Sequence, residues 1–279
     1  MSSTSEVRLG VVVSGWPRVS ETFALNELLA LRRAGMLAAV FATKPGDPSL
    51  RQPGWDEIDP LVEVLPGGDV DAQAAVVAER LAGAGVAGVH GYFAHQPAAV
   101  AAAAAARLGV PYGFSAHALD VRKVPPAELA ERAAGAAVVV SCNRETAASI
   151  EAAGTTPRLV AHGVDLDRFS PAPPPGGPVT SLLAVGRLVE KKGFDVLVEA
   201  LALVDRPCRL RLVGDGPERP RLEAAVARLG LGDRVDLLGR RTHADLPALY
   251  AAADVVVVPS VVDANADRDG LPNVVLEAM

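Results

Sequence analysis

The chain has 279 residues, half of them apolar and 22% charged, a globular balance that excludes wholesale disorder. Its 27 Lys and Arg against 33 Asp and Glu leave a formal charge of -6, which excludes a surface built throughout to neutralise nucleic-acid phosphates; no nucleic-acid partner is expected. Two cysteines, Cys142 and Cys208, stand outside any C-x-x-C or Cys/His spacing, so neither a disulfide framework nor a metal site is expected.

The first ten residues lack a basic stretch followed by an apolar one and do not read as a secretory leader, which makes the cytoplasm the expected location. Short β-branched runs at residues 9–13, 38–42, 62–65, 86–90 and 137–141 alternate with helical segments, the pattern of a parallel sheet covered by helices. Between the first two runs, residues 20–34 carry Phe23, Leu28, Leu29 and Leu31, with Ser20 as the expected N-cap and Gly35 just past the end. The Ala-rich stretch 98–108 is too short and too weakly apolar for a bilayer and reads as a helix.

At Ser170 the alternation breaks into SPAPPPGGP, where prolines remove backbone donors and glycines free φ. The expected division is a first lobe at residues 1–170, a Pro/Gly linker at 171–178 and a second lobe at 179–279. Strands are expected at 181–185, 209–213, 235–238 and 255–258, with helices at 194–203, 218–229 and 243–252 and another opening near Pro272. The last residues, Glu277, Ala278 and Met279, fall within that opening helix, so the second lobe is expected to be incomplete and the isolated chain weakly active.

Four segments carry candidate chemistry. In LLAVGRLVEKKGFDVLVEA, Arg187 and Lys192 flank a strand end and a helix start, where fixed cations and free N–H groups suit a diphosphate; a solvated basic loop is the bland alternative. In DRDGLPNVVLEAM, the carboxylates of Asp269 and Glu277 bracket Gly270, Leu271, Pro272 and Asn273, and ionised carboxylates accept hydrogen bonds from sugar diols; an acidic helix start is the alternative. His117 and Asp120 follow a strand in GVPYGFSAHALDV, at the end where open α/β sheets bind ligands, although a lone histidine there is more often structural. SGWPRVSETFALNE alone is a capping sequence.

The order of these segments resembles the family 4 glycosyltransferases of the two-lobed GT-B fold, especially the branch that builds bacterial exopolysaccharides. PRVSETFALNE is similar to that branch's P-x-x-S-E-T-F-x-x-x-E, and HGYFAHQPA to its H-x-H-F-A, with Tyr92 where a second His is usual. AHALDV, HGVDLDRF, VGRLVEKKGFD, VGDGPER and DRDGLPNVVLEAM match in order from Arg8 to Met279. The resemblance implies an α/β fold of two Rossmann-like lobes with parallel sheets, and a nucleotide-diphosphate sugar as donor substrate with no separate cofactor. It implies that Arg187 and Lys192 hold the diphosphate and that Glu277 binds the nucleotide ribose. Asp269, where Glu is usual, faces the donor sugar; the backbone at Gly270, Leu271, Pro272 and Asn273 meets sugar or phosphate, and His117 lies against the sugar. Retention at the anomeric carbon and a glycan or lipid-linked acceptor follow from the same likeness.

DLD at residues 165–167 lies inside the HGVDLDRF loop rather than after a strand end, which favours a metal-independent route. The alternatives are a nucleotide-sugar epimerase on the same scaffold, or a fragment that binds nucleotide sugars without turnover. A nicotinamide dehydrogenase is disfavoured, because no G-x-G-x-x-G follows the first strand. Arg32, Arg33, Lys44 and Arg51 leave open a peripheral contact with anionic headgroups at the inner membrane face, and a solvated surface explains them equally well.

Overall fold

A computed structural model describes residues 7–117, 119–173 and 176–279. Residues 1–6, on which most of the leader reading rests, Ala118 of AHALDV, and Pro174 and Pro175 of the Pro/Gly run lie outside the described residues. The chain divides into two compact units, Met1–His162 and Gly163–Met279. Both are α/β with wholly parallel sheets, the Rossmann-like architecture of the GT-B fold.

The first unit strings seven strands, β1 (Leu9–Val13), β2 (Leu37–Ala42), β3 (Val62–Val64), β4 (Gly88–Tyr92), β5 (Tyr112–Ala116), β6 (Val138–Ser141) and β7 (Arg158–Leu159), in the order β3-β2-β1-β4-β5-β6-β7. Strand β1 shows why a parallel strand reads as an unbroken apolar run. Val11 and Val13 face Leu25, Leu28 and Leu29 of the helix Thr22–Arg33, while Val12 faces Leu81, Val89, Ala101 and Ala104 on the opposite side. Each such fully buried Val or Leu contributes about 1.5–3 kcal/mol of transfer free energy. From β1 the chain runs outward through β2 and β3, then returns to build β4 on the other side of β1. The reversal creates a switch point between the carboxyl ends of β1 and β4.

The second unit repeats the plan with β8 (Thr180–Val185), β9 (Cys208–Val213), β10 (Val235–Gly239) and β11 (Val255–Val256), in the order β10-β9-β8-β11. Here the switch point lies between β8 and β11, whose parallel register pairs Leu182 with Val255 and Leu183 with Val256. Phe169, ahead of the Pro/Gly run, packs with Leu183, Val213 and Leu246 in this unit's core.

Two helix starts differ from expectation. The helix of the first unit opens at Thr22 with Glu21 as N-cap and no capping side chain; Glu21 N–H is already bonded to the carbonyl of Arg18 in a turn, so Ser20 stands outside the helix. The helix expected from residue 243 opens at Leu246. Thr242 donates from its backbone N–H and its hydroxyl to Asp245 at 2.8 and 2.7 Å, which closes a turn first, and Pro247 then takes a first-turn position where its missing N–H is harmless. Strand β7, two exposed residues, carries no alternation that a sequence pattern could reveal.

Candidate functional site

The carboxyl end of β8 is a junction of loops packed backbone to backbone. Leu188 N–H donates to the carbonyl of Asp215 at 3.0 Å on one side, and Val261 N–H donates to the carbonyl of Lys191 at 2.9 Å on the other. Such closeness requires glycine. A Cβ at Gly214 would lie 1.8 Å from the carbonyl oxygen of Gly186, and one at Gly193, where φ is +62°, would lie 2.1 Å from that of Pro259. Gly193 also precedes the helix Phe194–Ala202, whose first turn has no side-chain cap.

Onto this junction converge two lysines and two aspartates. Lys192 Nζ lies 2.6 Å from Asp269 Oδ2; Lys191 Nζ lies 3.0 Å from Asp267 Oδ2 and 3.6 Å from Asp269 Oδ1. The hydroxyl of Ser260 donates to Asp269 Oδ2 at 2.6 Å. Burial alone would push the Asp269 carboxyl up, but the Lys192 ammonium, its hydrogen bond, that of Ser260 and the charge of Lys191 together hold it below the usual carboxylate range. Arg187, at the tip of β8, is exposed and has no side-chain partner among the described residues, so its guanidinium is uncompensated.

Glu277 belongs to a second cluster of the same unit. Its Oε1 lies 2.9 Å from His243 Nε2, and its Oε2 accepts from the Tyr250 hydroxyl at 2.9 Å. Carboxylate and imidazole side chains are only 7% and 6% exposed. Arg168 donates to His243 Nδ1 at 2.9 Å, and the Phe169 ring lies against His243 and Tyr250 at centroid distances of 5.1 and 5.8 Å. Burial and the neighbouring carboxylate push the Tyr250 hydroxyl far above its ordinary pKa, so it remains a donor.

In the first unit His117 follows β5, within an aromatic cluster that includes the end of β4. Its ring lies 5.2 Å from that of Tyr92, 4.8 Å from Phe23 and 5.0 Å from Phe93. Nδ1 is 3.0 Å from His162 Nε2, and Nε2 is buried without a hydrogen-bond partner. Burial, reinforced by the neighbouring histidines and opposed by Asp120, pulls the pKa of His117 down to about 4 and keeps the ring neutral at pH 7. Asp120 clamps the turn, accepting from His117 N–H at 3.0 Å and Ala94 N–H at 2.9 Å. Tyr92, standing where a second His is usual, donates to Glu27 on the helix Thr22–Arg33, and burial pushes the Glu27 carboxyl up.

Among the described residues, His117, Cys142 and His162 each place one ligand atom within 4.8 Å of the others and form a group that could hold a metal ion. As arranged, burial pushes the Cys142 thiol up to about 11, and it donates to the His117 carbonyl at 3.1 Å; a metal would have to displace that proton. This approach of Cys142 to two histidines escaped the sequence because none of the three is a near neighbour in the chain.

The structure therefore brings Lys192 and Asp269 together, leaves Arg187 exposed at the same sheet end, and places Glu277 in a separate hydrogen-bonded cluster. Gly270 and Leu271 are exposed between Asp269 and the helix Asn273–Ala278, and Pro272 is that helix's N-cap residue. Ser260 and Asp267, and the partners Arg168, His243 and Tyr250, are additions to the set read from sequence. Of the four cations considered for headgroups, Arg51 pairs with Asp56 and Asp59, Arg33 lies 3.9 Å from Glu57, and Arg32 donates to the Glu57 carbonyl. Among the described residues no helix is long and apolar enough to cross a membrane.

Comparison with known proteins agrees with this architecture. Residues 20–168 match the family model Glycosyltransferase Family 4, and residues 180–279 match Glycosyl transferases group 1. The WcaL protein of Escherichia coli (strain K12), named as a colanic acid biosynthesis glycosyltransferase, is 37% identical over 122 residues, 42% of this chain and 30% of its own length. The 2-deoxystreptamine glucosyltransferase of Streptomyces kanamyceticus is 33% identical over 198 residues, 59% of this chain and 51% of its own. The chain thus spans about a third to a half of the length of these relatives. Among solved structures, Anabaena Alr3699/HepE in complex with UDP superposes with a TM-score of 0.77 at 20% identity, covering 98% of this chain and 78% of its own. With the first-lobe model alone matching more than half of its residues, the chain belongs to Glycosyltransferase Family 4.

Proposed function

We propose that this protein transfers a sugar from a nucleotide-diphosphate sugar to a glycan or lipid-linked acceptor in cell-surface or exopolysaccharide biosynthesis, with retention at the anomeric carbon and without a metal. The observation that carries the reading is the clustering of Lys191 and Lys192 with Asp267, Asp269 and Ser260 beside the exposed Arg187, at the switch point between β8 and β11. Ligands of open parallel sheets bind at such points. The relatives named for sugar transfer, and the UDP held by the Anabaena protein, support the same ligand class.

Breaking the bond between the anomeric carbon and the phosphate oxygen leaves its electron pair on the diphosphate, so the largest catalytic contribution is stabilisation of that growing charge by fixed cations. Lys192 is pre-positioned by Asp269, and Arg187 is free to close on a phosphate. The Asp269 carboxylate, held ionised, accepts from donor-sugar hydroxyls, and the backbone from Gly270 through Leu271 and Pro272 to Asn273 lies beside it. By the family resemblance His117 is a sugar-contacting residue as well; its ring is neutral and its Nε2 is buried without a hydrogen-bond partner. Glu277 accepts from the ribose of the nucleotide.

The test is sugar transfer and donor hydrolysis with labelled UDP-, GDP- and ADP-sugars, with and without EDTA, with product anomers read by NMR. Lys192→Ala is expected to lower turnover by about 10²–10³, the loss typical of one oxyanion donor. Unchanged turnover in that variant, or an epimerised free donor as the only product, would overturn the reading.

A further inference from the structure

The pair Glu277 and His243 has an ordering that the hydrogen bonds themselves dictate. A guanidinium has only donors, so the 2.9 Å contact between Arg168 and His243 Nδ1 requires a lone pair on Nδ1. A neutral imidazole then carries its proton on Nε2, which donates to Glu277 Oε1 at 2.9 Å. Tyr250 donates to the other oxygen, and its raised pKa keeps that direction fixed. Arg168 is itself steadied: its backbone N–H donates to the Asp165 carbonyl at 3.1 Å, and its guanidinium lies 3.9 Å from the Asp165 carboxylate.

An ionised carboxylate has about four lone-pair positions, two on each oxygen. His243 and Tyr250 fill one on each, which leaves one on each oxygen, the complement of a vicinal diol with its two O–H donors. The Glu277 side chain is only 7% exposed, and the ring of Phe169 lies against both of its donors. We propose that Arg168, His243 and Tyr250 are positioning residues that fix Glu277 as a reader of the nucleotide's ribose diol, with Arg168 selecting the histidine tautomer that makes this possible. The inference rests on the reading of Glu277 as the ribose acceptor, and it assigns the ribose-over-deoxyribose preference to residues that do not touch the nucleotide.

The experiment is calorimetric titration of the 279-residue chain with UDP, GDP and ADP, with their 2′-deoxy counterparts, and with inorganic pyrophosphate. The unmodified chain is expected to prefer one ribonucleotide over its deoxy form, and Glu277→Gln to erase that preference. His243→Phe and Arg168→Met are expected to cut it about tenfold, the size of one hydrogen bond to a charged group, with pyrophosphate affinity unchanged. His243→Gln, whose amide N–H replaces the Nε2 donor, and Arg168→Lys, which retains a donor to Nδ1, are expected to restore most of it. Unchanged pyrophosphate binding reports an intact fold in each variant, and the two rescue variants serve where a harsher one fails to fold. If Glu277→Gln erases the preference while His243→Phe and Arg168→Met keep it, the positioning role is overturned and the ribose reading stands. If the preference survives Glu277→Gln, or is missing from the unmodified chain, the ribose reading fails and takes the positioning role with it.

Discussion

Gly193→Ala separates the cost of a backbone conformation from the cost of a clash, because Gly230 supplies a matched control. Both glycines are left-handed, with φ of +62° and +66°, so alanine at either position is expected to lose about 1–2 kcal/mol for the conformation alone. At Gly230 a Cβ meets nothing within 4 Å, and the effect ends there. At Gly193 it would stand 2.1 Å from the Pro259 carbonyl oxygen and 3.1 Å from Val261 Cγ1. Non-bonded carbon contacts settle near 3.5 Å or more, so Pro259 must retreat by about 1 Å. The retreat pulls on the bond from Val261 N–H to Lys191 and displaces the neighbouring Ser260, whose hydroxyl steadies Asp269. Overpacking of this kind adds about 1–3 kcal/mol. Urea unfolding followed by circular dichroism, compared as midpoint shifts at constant slope, should show Gly193→Ala losing about 2–5 kcal/mol and Gly230→Ala about 1–2. Calorimetry should show weaker pyrophosphate binding only in the former. Equal losses in the two variants, with equal affinity, would refute the close-approach reasoning.

Two further outcomes are expected besides those attached to the function and to Glu277. Asp69 caps the helix Val70–Leu81 by accepting from Ala72 N–H at 2.8 Å, so Asp69→Ala should lower stability by about 1 kcal/mol in urea; an unchanged midpoint would show that the cap contributes nothing. His90 and His117 are both drawn down to about 4, chiefly by burial, whereas unfolded histidine titrates near 6.5. Between these values the unfolded chain binds more protons, so stability is complete above about pH 6.5 and is lost as the pH falls toward 4. Melting temperature should decline across that window, more shallowly in His90→Gln, and a slope unaffected by the substitution would contradict the assignment.

The strands that build both sheets were legible because parallel strands buried on two faces must be apolar without interruption, as Val11, Val12 and Val13 are. Lys192 and Asp269 were legible as candidates because each stands at a break between strand and helix. Their mutual contact was not, since a separation of 77 residues carries no periodic signal. His243 illustrates the same limit. Its place in RTHADLPALY suggests a helix start, but the turn closed by Thr242 and Asp245 and the first-turn Pro247 delay the helix, and the ring instead joins Arg168 to Glu277. Strand β7 escaped because two exposed residues at a sheet edge have no buried face to announce them.

Arg168 and Phe169 precede the Pro/Gly run, yet their side chains serve the unit that follows it. The proline-rich stretch is thus a poor place for scissors. A fragment begun at residue 179 would strip His243 of the guanidinium at its Nδ1 and open a hole beside Leu183 and Leu246, whereas one begun at Gly163 would carry its own clasp with it. Where the backbone looks most severable and where the fold is severable are different places.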